Sequence, residues 1–307
     1  MLACGLAARR GYGKLGVTDH IAPPAGNRRR MTRTLKTAIG RTQFTEPLFA
    51  GTMASPLLRL ALEPFPTIHR AFAPMVRSLA FDVSELAIAT FLQARAAGKP
   101  IVLLPVVLAA RFQEAALLCL KSSGLRGPGD LAGRRVGVRS YSQTTGMWLR
   151  GVLEDAHGVR PQDVAWTTFE DAHVAECHDP AWVQRAAPEA EMLAMLRAGE
   201  LDAVIVGNDA PAGDDLRPVF ADPLAAGEAF FARHGFVPVN HLLTIRQDIA
   251  EREPETVAEL LRLFRALAAS GPVAAVEREA LNPALQVAMR YCVAQGLVER
   301  DVAVQWE

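Results

Sequence analysis

The chain has 307 residues, half of them hydrophobic, with 33 basic and 33 acidic side chains and a formal net charge of zero. That length allows two ordinary α/β domains or one large one, and the charge balance argues against a nucleic-acid binder or a polybasic membrane-surface protein. No stretch approaches the roughly 20 uninterrupted apolar residues of a membrane-spanning helix; the longest apolar run, IVLLPVVLAA, carries Pro105 and lies between Lys99 and Arg111.

Residues 1–30 are rich in Gly and Arg, show no periodicity, and lack the apolar core and small-residue cleavage site of a secretory signal. Alternation begins only at MTRTLKTAIG, so the folded chain is expected to start at Met31, with residues 1–30 a disordered leader or a start set too early. Cys4, Cys119, Cys177 and Cys292 form no C-x-x-C pair and are expected as reduced thiols in a cytoplasmic protein.

In chain order, RTLKTAIG predicts a first strand. APMVRSLAFDVSELAIATFLQARAAG predicts a helix, a short strand around Phe81 to Ser84, and a second helix ending at Gly98. PIVLLPVVL and AALLCLKSS read as two further strands, and GPGDLAGRRVGVRS as a turn, a one-turn helix and a strand. TTGMWLRGVLEDAHGV predicts a helix with Met147, Trp148 or Leu149, Val152 and Leu153 on its apolar side and Gly158 as its stop. PQDVAWTTF is strand-like; PEAEMLAMLRAGELDAVIVGNDAP predicts a helix, a stop at Gly199 and a strand leading to Asn208 and Asp209. VNHLLTIRQDI is another strand, and from EPETVAELLRLFRALAAS onward the chain is helical. This alternation predicts an α/β protein of two lobes, the first from residues 31–118 with 236–307 and the second from 119–235. A ligand cleft between them would lie at strand C-termini and helix N-termini.

RSYSQTTGMWLRG combines a strand exit with a helix start, and Ser142, Gln143, Thr144 and Thr145 add donors beside the unpaired N–H groups of the first turn. The run suits either a carboxylate or phosphate cradle or a plain helix cap, and the window alone leaves both open. EDAHVAECHDP holds His173, Cys177, His178 and Asp179, with His173 and Cys177 four residues apart. It is polar and precedes Pro180, so it is read as an exposed loop, and no metal is expected. No P-loop, G-x-G-x-x-G, G-x-S-x-G or H-E-x-x-H pattern occurs.

FDVSELAIATFLQARAAG, DLAGRRVGV, SYSQTTGMWLRG, AGELDAVI and GFVPVNHLLTIR together resemble the 4,5-dihydroxyphthalate decarboxylase family, from about Leu35 to about Val298. Phe81–Leu86 and the Trp148-x-Arg150-Gly151 spacing are the most specific pieces. The resemblance implies a two-lobe fold of the type 2 periplasmic-binding-protein (Venus-flytrap) kind with the ligand between the lobes. It brings Tyr141, Ser142, Gln143, Thr144, Thr145, Asn208 and Asp209 to the second lobe's side of that cleft, and favours the anion cradle. Thr42, Gln43, Asp82, Ser84, Glu85 and His241 would come from the first lobe, and Trp148 would stack on a ring. Where the family tends to show Asp-Tyr-Asp-Arg-Thr-Arg-Pro-Leu, residues 41–48 read RTQFTEPL, losing both arginines to Phe44 and Glu46. Phe-Arg-His-Ser likewise becomes Phe112-Gln113-Glu114-Ala115, leaving Arg41 and Arg111 as nearby cations. The expected activity is decarboxylation of a small aromatic or heteroaromatic carboxylate without a cofactor, with His241 as proton donor and Asp82 and Glu85 orienting it. A solute-binding protein that does no chemistry is the alternative. A small-molecule carboxylate is the expected partner, with homo-oligomerisation allowed and neither nucleic acid nor membrane called for.

Overall fold

The computed structural model describes residues 32–207, 214–268 and 277–306. The leader at 1–30, Asn208 and Asp209 therefore lie outside the described residues. The first lobe opens with β1 (Arg33–Ala38), α1 (Glu46–Phe49), β2 (Leu58–Leu62), α2 (Phe72–Ser78), β3 (Val83–Ala87), α3 (Ile88–Ala96) and β4 (Ile101–Ala110). The chain then crosses over for β5 (Leu117–Leu120), β6 (Arg135–Val138), α4 (Thr144–His157), β7 (Ala165–Thr168), β8 (Val183–Arg185), α5 (Met192–Arg197), β9 (Ala203–Ile205), β10 (Leu216–Pro218) and α6 (Pro223–His234). It returns with β11 (Val239–Arg246), α7 (Gln247–Arg252) and α8 (Pro254–Ala268), and α9 (Arg278–Ala294) follows.

Two mixed sheets result, in the two-lobe arrangement of a type 2 periplasmic-binding-protein fold. The first has the order β2-β1-β3-β11-β4 and the second β10-β5-β9-β6-β7-β8. β1 runs parallel to β2 and β3, while β11 is antiparallel to β3 and β4. In the second sheet β9, β6, β7 and β8 are mutually parallel, and β5 pairs antiparallel with β9 and β10. The parallel strands of both sheets end at the same cleft, where open α/β sheets bind ligands.

Apolar patterning explains the layering. The residues of β4 from Ile101 to Leu108 are all buried, because one face packs on Leu86, Phe91 and Leu242 while the other packs on α8 through Leu260, Phe264 and Leu267. A strand covered on both faces reads as a continuous apolar run rather than an alternating one. Pro105 is tolerated because β4 is an edge strand, and the β4–β11 register slips across this stretch. The outer edge is partly closed by the C-terminal tail, where the Leu103 N–H donates to Gln305 O at 3.0 Å.

α4 is enclosed almost all round: residues 144–153 are all buried, including both Trp148 and Leu149. Its outward face is covered by α9, whose Tyr291 hydroxyl donates to Asp155 at 2.6 Å and whose Arg290 pairs with the same carboxylate at 2.7 Å. Gln295, just past α9, accepts from Arg150 and donates to Met147 O, both at 2.8 Å. The last helix is thus bonded to the second lobe while also packing on α3 of the first.

The close approach of α9 depends on Gly151, where an added Cβ would overlap the Tyr291 ring. Gly151→Ala is therefore expected to destabilise the protein by about 1–3 kcal/mol through overpacking. A chemical-denaturation midpoint equal to that of the unmodified chain would contradict this helix contact.

Candidate functional site

A cleft of about 790 Å³ opens between the lobes. β11 presents Asn240 and His241, β3 ends in Ala87, and Arg111 follows β4. The second lobe adds Arg139 after β6, Phe169 after β7, and Val206 and Gly207 after β9. Every one of these positions lies at a strand end facing the cleft.

Two helix N-termini converge here. α3 begins directly after Ala87, and α4 begins after the turn at Ser140–Gln143. Ser142, Gln143, Thr144 and Thr145 all line the cleft. None of them caps α4 by a side-chain hydrogen bond. Ser142 Oγ instead lies 3.0 Å from Ser140 Oγ, and Gln143 Oε1 is buried without a partner. Thr144 Oγ1 accepts from the Ala89 N–H of α3 at 3.3 Å, across the lobes. The cap alternative is thereby set aside: these side chains look into the cleft.

Arg111 donates through Nη2 to Thr145 Oγ1 at 3.3 Å, while its Nε is buried with no partner. Among the described residues it meets no carboxylate, and burial lowers its pKa from the usual guanidinium value. Arg41 and Arg139 also line the cleft but are committed, Arg41 to Glu46 through two contacts of 2.7 Å and Arg139 to Glu170 at 2.6 Å.

His241 and Glu85 form a dyad. Nδ1 of His241 lies 2.6 Å from Glu85 Oε1, and the Gly40 N–H donates to Glu85 Oε2 at 2.7 Å. A carboxylate held this way only accepts, so Nδ1 carries the hydrogen that meets it and Nε2 remains for the cleft. The His241 side chain is 17% exposed, and its ring meets the edge or face of Phe72 at 5.2 Å. His173 flanks the same Phe72 ring at 5.5 Å, and its Nδ1 lies 2.9 Å from Thr90 Oγ1. Burial, with Arg139, His69, Arg77 and His241 nearby, pushes the His173 pKa down to about 3, so the ring is neutral.

Other expected contacts go elsewhere. Asp82 sits at the far end of β3, accepting from the Lys36 N–H at 2.8 Å and lying 3.7 Å from Arg246. Some five residues at about 3.3 Å each separate it from the cleft end of β3, so it cannot orient His241. Ser84 is buried inside the sheet, its carbonyl accepting from Thr244 Oγ1 at 2.8 Å. Phe44 belongs to the apolar core under α8. Thr42 and Gln43 are exposed on a turn closed by Thr45, and Glu46 faces Arg41 rather than the cleft. Tyr141 is fully buried under the Arg150 guanidinium, 3.9 Å from its ring centroid. Trp148 is core, donating to Val239 O at 2.8 Å and meeting Phe230 and Tyr291 edge to face. Glu114 is buried in the crossover between lobes, away from the cleft lining; neither carboxylate oxygen has a partner, and burial raises its pKa.

The segment read as an exposed loop docks onto the first lobe instead. Arg77 donates to His173 O and Ala172 O, both at 2.8 Å, and carries the His173 ring into the cleft. Asp179 turns to Thr168 at 2.7 Å, and no cluster of three His, Cys, Asp or Glu side chains suited to a metal occurs among the described residues. Thr90, Arg139, Phe169 and Asn240 were also missed. Three of them directly follow or begin strands, so the strand-end rule that singled out Ser142 would have found them; Thr90 and His173 carry no such signal.

Residues 72–182 match the family described as NMT1/THI5 like. A 4,5-dihydroxyphthalate decarboxylase of Comamonas testosteroni is 30% identical over 247 residues, covering 75% of this chain and 73% of the relative. A protein of the same name from Pseudomonas putida is 33% identical over 183 residues, 56% of this chain and 69% of the relative. The periplasmic aliphatic sulphonate binding protein SsuA of Escherichia coli aligns in structure at 15% identity with a TM-score of 0.48, over 86% of this chain and 79% of that one.

The neutral His173 ring makes stability depend on pH. Its folded pKa of about 3 lies below the ordinary histidine value of 6.5, so between these the unfolded state binds more protons. Stability therefore falls as pH drops through that window, by at most about 1.4 kcal/mol per pH unit for this group. His173→Asn removes the titration, and the stability advantage of the unmodified chain over it should shrink from pH 7 to pH 4 in urea unfolding. An advantage that stays constant would contradict a neutral buried ring.

Proposed function

Because the chain belongs to the 4,5-dihydroxyphthalate decarboxylase family, we propose that it is a cofactor-independent carboxy-lyase for a small hydroxylated aromatic carboxylate held in the interlobe cleft. One observation supports this reading: Arg111, Thr145 and the start of α4 line the same cavity as His241, whose ring is paired with Glu85. The anion socket of this reading is Arg111 with Thr145 and the N-terminus of α4. The dyad is Glu85 with His241.

The chemistry follows from that pairing. Arg111 and the unpaired N–H groups of α4 hold the substrate carboxylate through charge-assisted hydrogen bonds. Phe72 and Phe169 offer apolar walls to the ring. The His241 imidazolium delivers its Nε2 proton to the ring carbon that bears the carboxylate, forming a C–H bond. The carbon–carboxylate bond then breaks, its electron pair restores aromaticity, and carbon dioxide leaves. A proton taken up from the solvent restores the imidazolium, so that each turnover consumes one proton. A ring hydroxyl para to the carboxylate feeds electrons to the carbon being protonated, and Glu85 stabilises the imidazolium as the carboxylate partner of other catalytic histidines does. The neutral His173 ring, which also packs against Phe72 and lines the cleft, suits a hydrogen bond to a ring hydroxyl.

Carbon dioxide release from 4,5-dihydroxyphthalate and hydroxybenzoates tests this directly. His241→Gln is expected to lower turnover by about 100-fold or more while leaving the ligand Kd within about threefold; unchanged turnover would sink the assignment. Arg111→Gln is expected to raise the Kd by about tenfold or more, the worth of a hydrogen bond to a charged group. A Kd unaffected by that change would remove Arg111 from the socket.

A further inference from the structure

We infer that the cleft is built for a ring with a single carboxylate, so that this chain's substrates are hydroxylated aromatic monocarboxylates rather than phthalate-type dicarboxylates. The inference rests on the carboxy-lyase reading and turns on how the cleft's charges are already spent.

Three arginines line the cavity, and they are not equivalent. Arg41 is held by both oxygens of Glu46, and Arg139 by Glu170. Their side chains keep 64% and 27% of their exposure, respectively, so each charge is matched and partly solvated before a ligand arrives. A further ion pair to such a group adds little. Arg111 differs on both counts: among the described residues it has no carboxylate, and its Nε is buried without a partner. It also sits where α4 adds its positive end. That makes one deep socket for one carboxylate.

Among the described residues the remaining lining adds no further arginine or lysine; its other titratable groups are His69, His173, His241 and Glu191. Glu191 contributes a negative charge at the cavity wall. His241 is already paired with Glu85. His173 is neutral because burial and the surrounding cations hold its pKa near 3, so it suits a hydroxyl and not a second anion. A second carboxylate would lose water beside Glu191 or beside arginines that other glutamates hold. A monocarboxylate also gives an uncharged phenol as product, which leaves Arg111 without a counterion and dissociates readily.

The matched ligands 3,4-dihydroxybenzoate and 4,5-dihydroxyphthalate differ by one carboxylate and can be compared on the full chain by calorimetry at fixed ionic strength. The monocarboxylate is expected to bind at least about tenfold tighter. Glu170→Gln, which frees Arg139 at the cleft wall, should tighten 4,5-dihydroxyphthalate about threefold or more and leave 3,4-dihydroxybenzoate unchanged. Equal or tighter binding of the dicarboxylate by the unmodified chain overturns the inference, and needs no variant to fold. So does a Glu170→Gln protein that shows no selective gain. Carbon dioxide release separates the two readings. Tight binding and decarboxylation of the dicarboxylate would overturn the single-carboxylate inference alone. Selective monocarboxylate binding without carbon dioxide from either ring would overturn the carboxy-lyase reading alone.

Discussion

Two helices that aim their N-termini at one point repel each other unless something negative lies between them. Each end carries the equivalent of roughly half a positive charge, on N–H groups with no partner inside the helix. In this protein α3 and α4 come from different lobes and meet at the Ala89 N–H and the Thr144 hydroxyl. That single hydrogen bond satisfies one orphan donor of α3; the rest of the positive field is left facing the cleft, where Arg111 adds to it. An anion there relieves the repulsion and strengthens the contact between lobes at once. Ligand charge and lobe arrangement are thereby linked by elementary electrostatics.

The side chains that hold this geometry are mostly not the ones that face the ligand. Arg150 is fully buried, with no carboxylate partner among the described residues; it stacks on Tyr141 and donates to the Tyr141 carbonyl, one residue before Ser142. Trp148 donates to the Val239 carbonyl, two residues before His241. One helix thus pins the turn leading to Ser142 with Arg150 and the strand bearing the dyad with Trp148. The cost of burying the Arg150 cation, which lowers its pKa, is offset by the aromatic faces of Tyr141 and Trp166 and by Gln295. Gln113 and Asn240 bond to each other beside Arg111, tying the outgoing and returning crossovers between lobes together at 2.8 Å.

Much of the fold was legible because its elements are periodic and punctuated. Gly158 and Gly235 end helices in the left-handed conformation that glycine adopts without strain. The apolar runs of β4 and β11, and the helical spacing of α8, need no partner to be recognised. α6, β2, β8 and β10 escaped notice, the strands being only three to five residues long and held by pairing rather than by their own pattern. In the site, the strand exit leading into a helix start singled out Ser142 to Thr145 and the family resemblance singled out His241, and all of these line the cleft. Tyr141 and Trp148 do not, although they neighbour residues that do. A one-residue step along a turn or helix swings a side chain to another face, and only the packing of Arg150 and α9 decides which face is core.

The sequence by itself determined the α/β alternation, the family and the class of residue at each strand end, since these depend on local pattern and turn chemistry. Which charges are spent and which are free was decided by tertiary structure alone. Arg41, Arg111 and Arg139 look alike in the chain, yet Glu46 and Glu170 neutralise two of them and burial isolates the third. Glu85 and His241 are 156 positions apart and become a dyad only because β11 inserts antiparallel beside β3. His173, in a segment that reads as solvent-exposed, becomes a neutral ring in the cleft because Arg77 draws its backbone against the first lobe. Charge and protonation depend on distance and dielectric, and neither is written in local sequence.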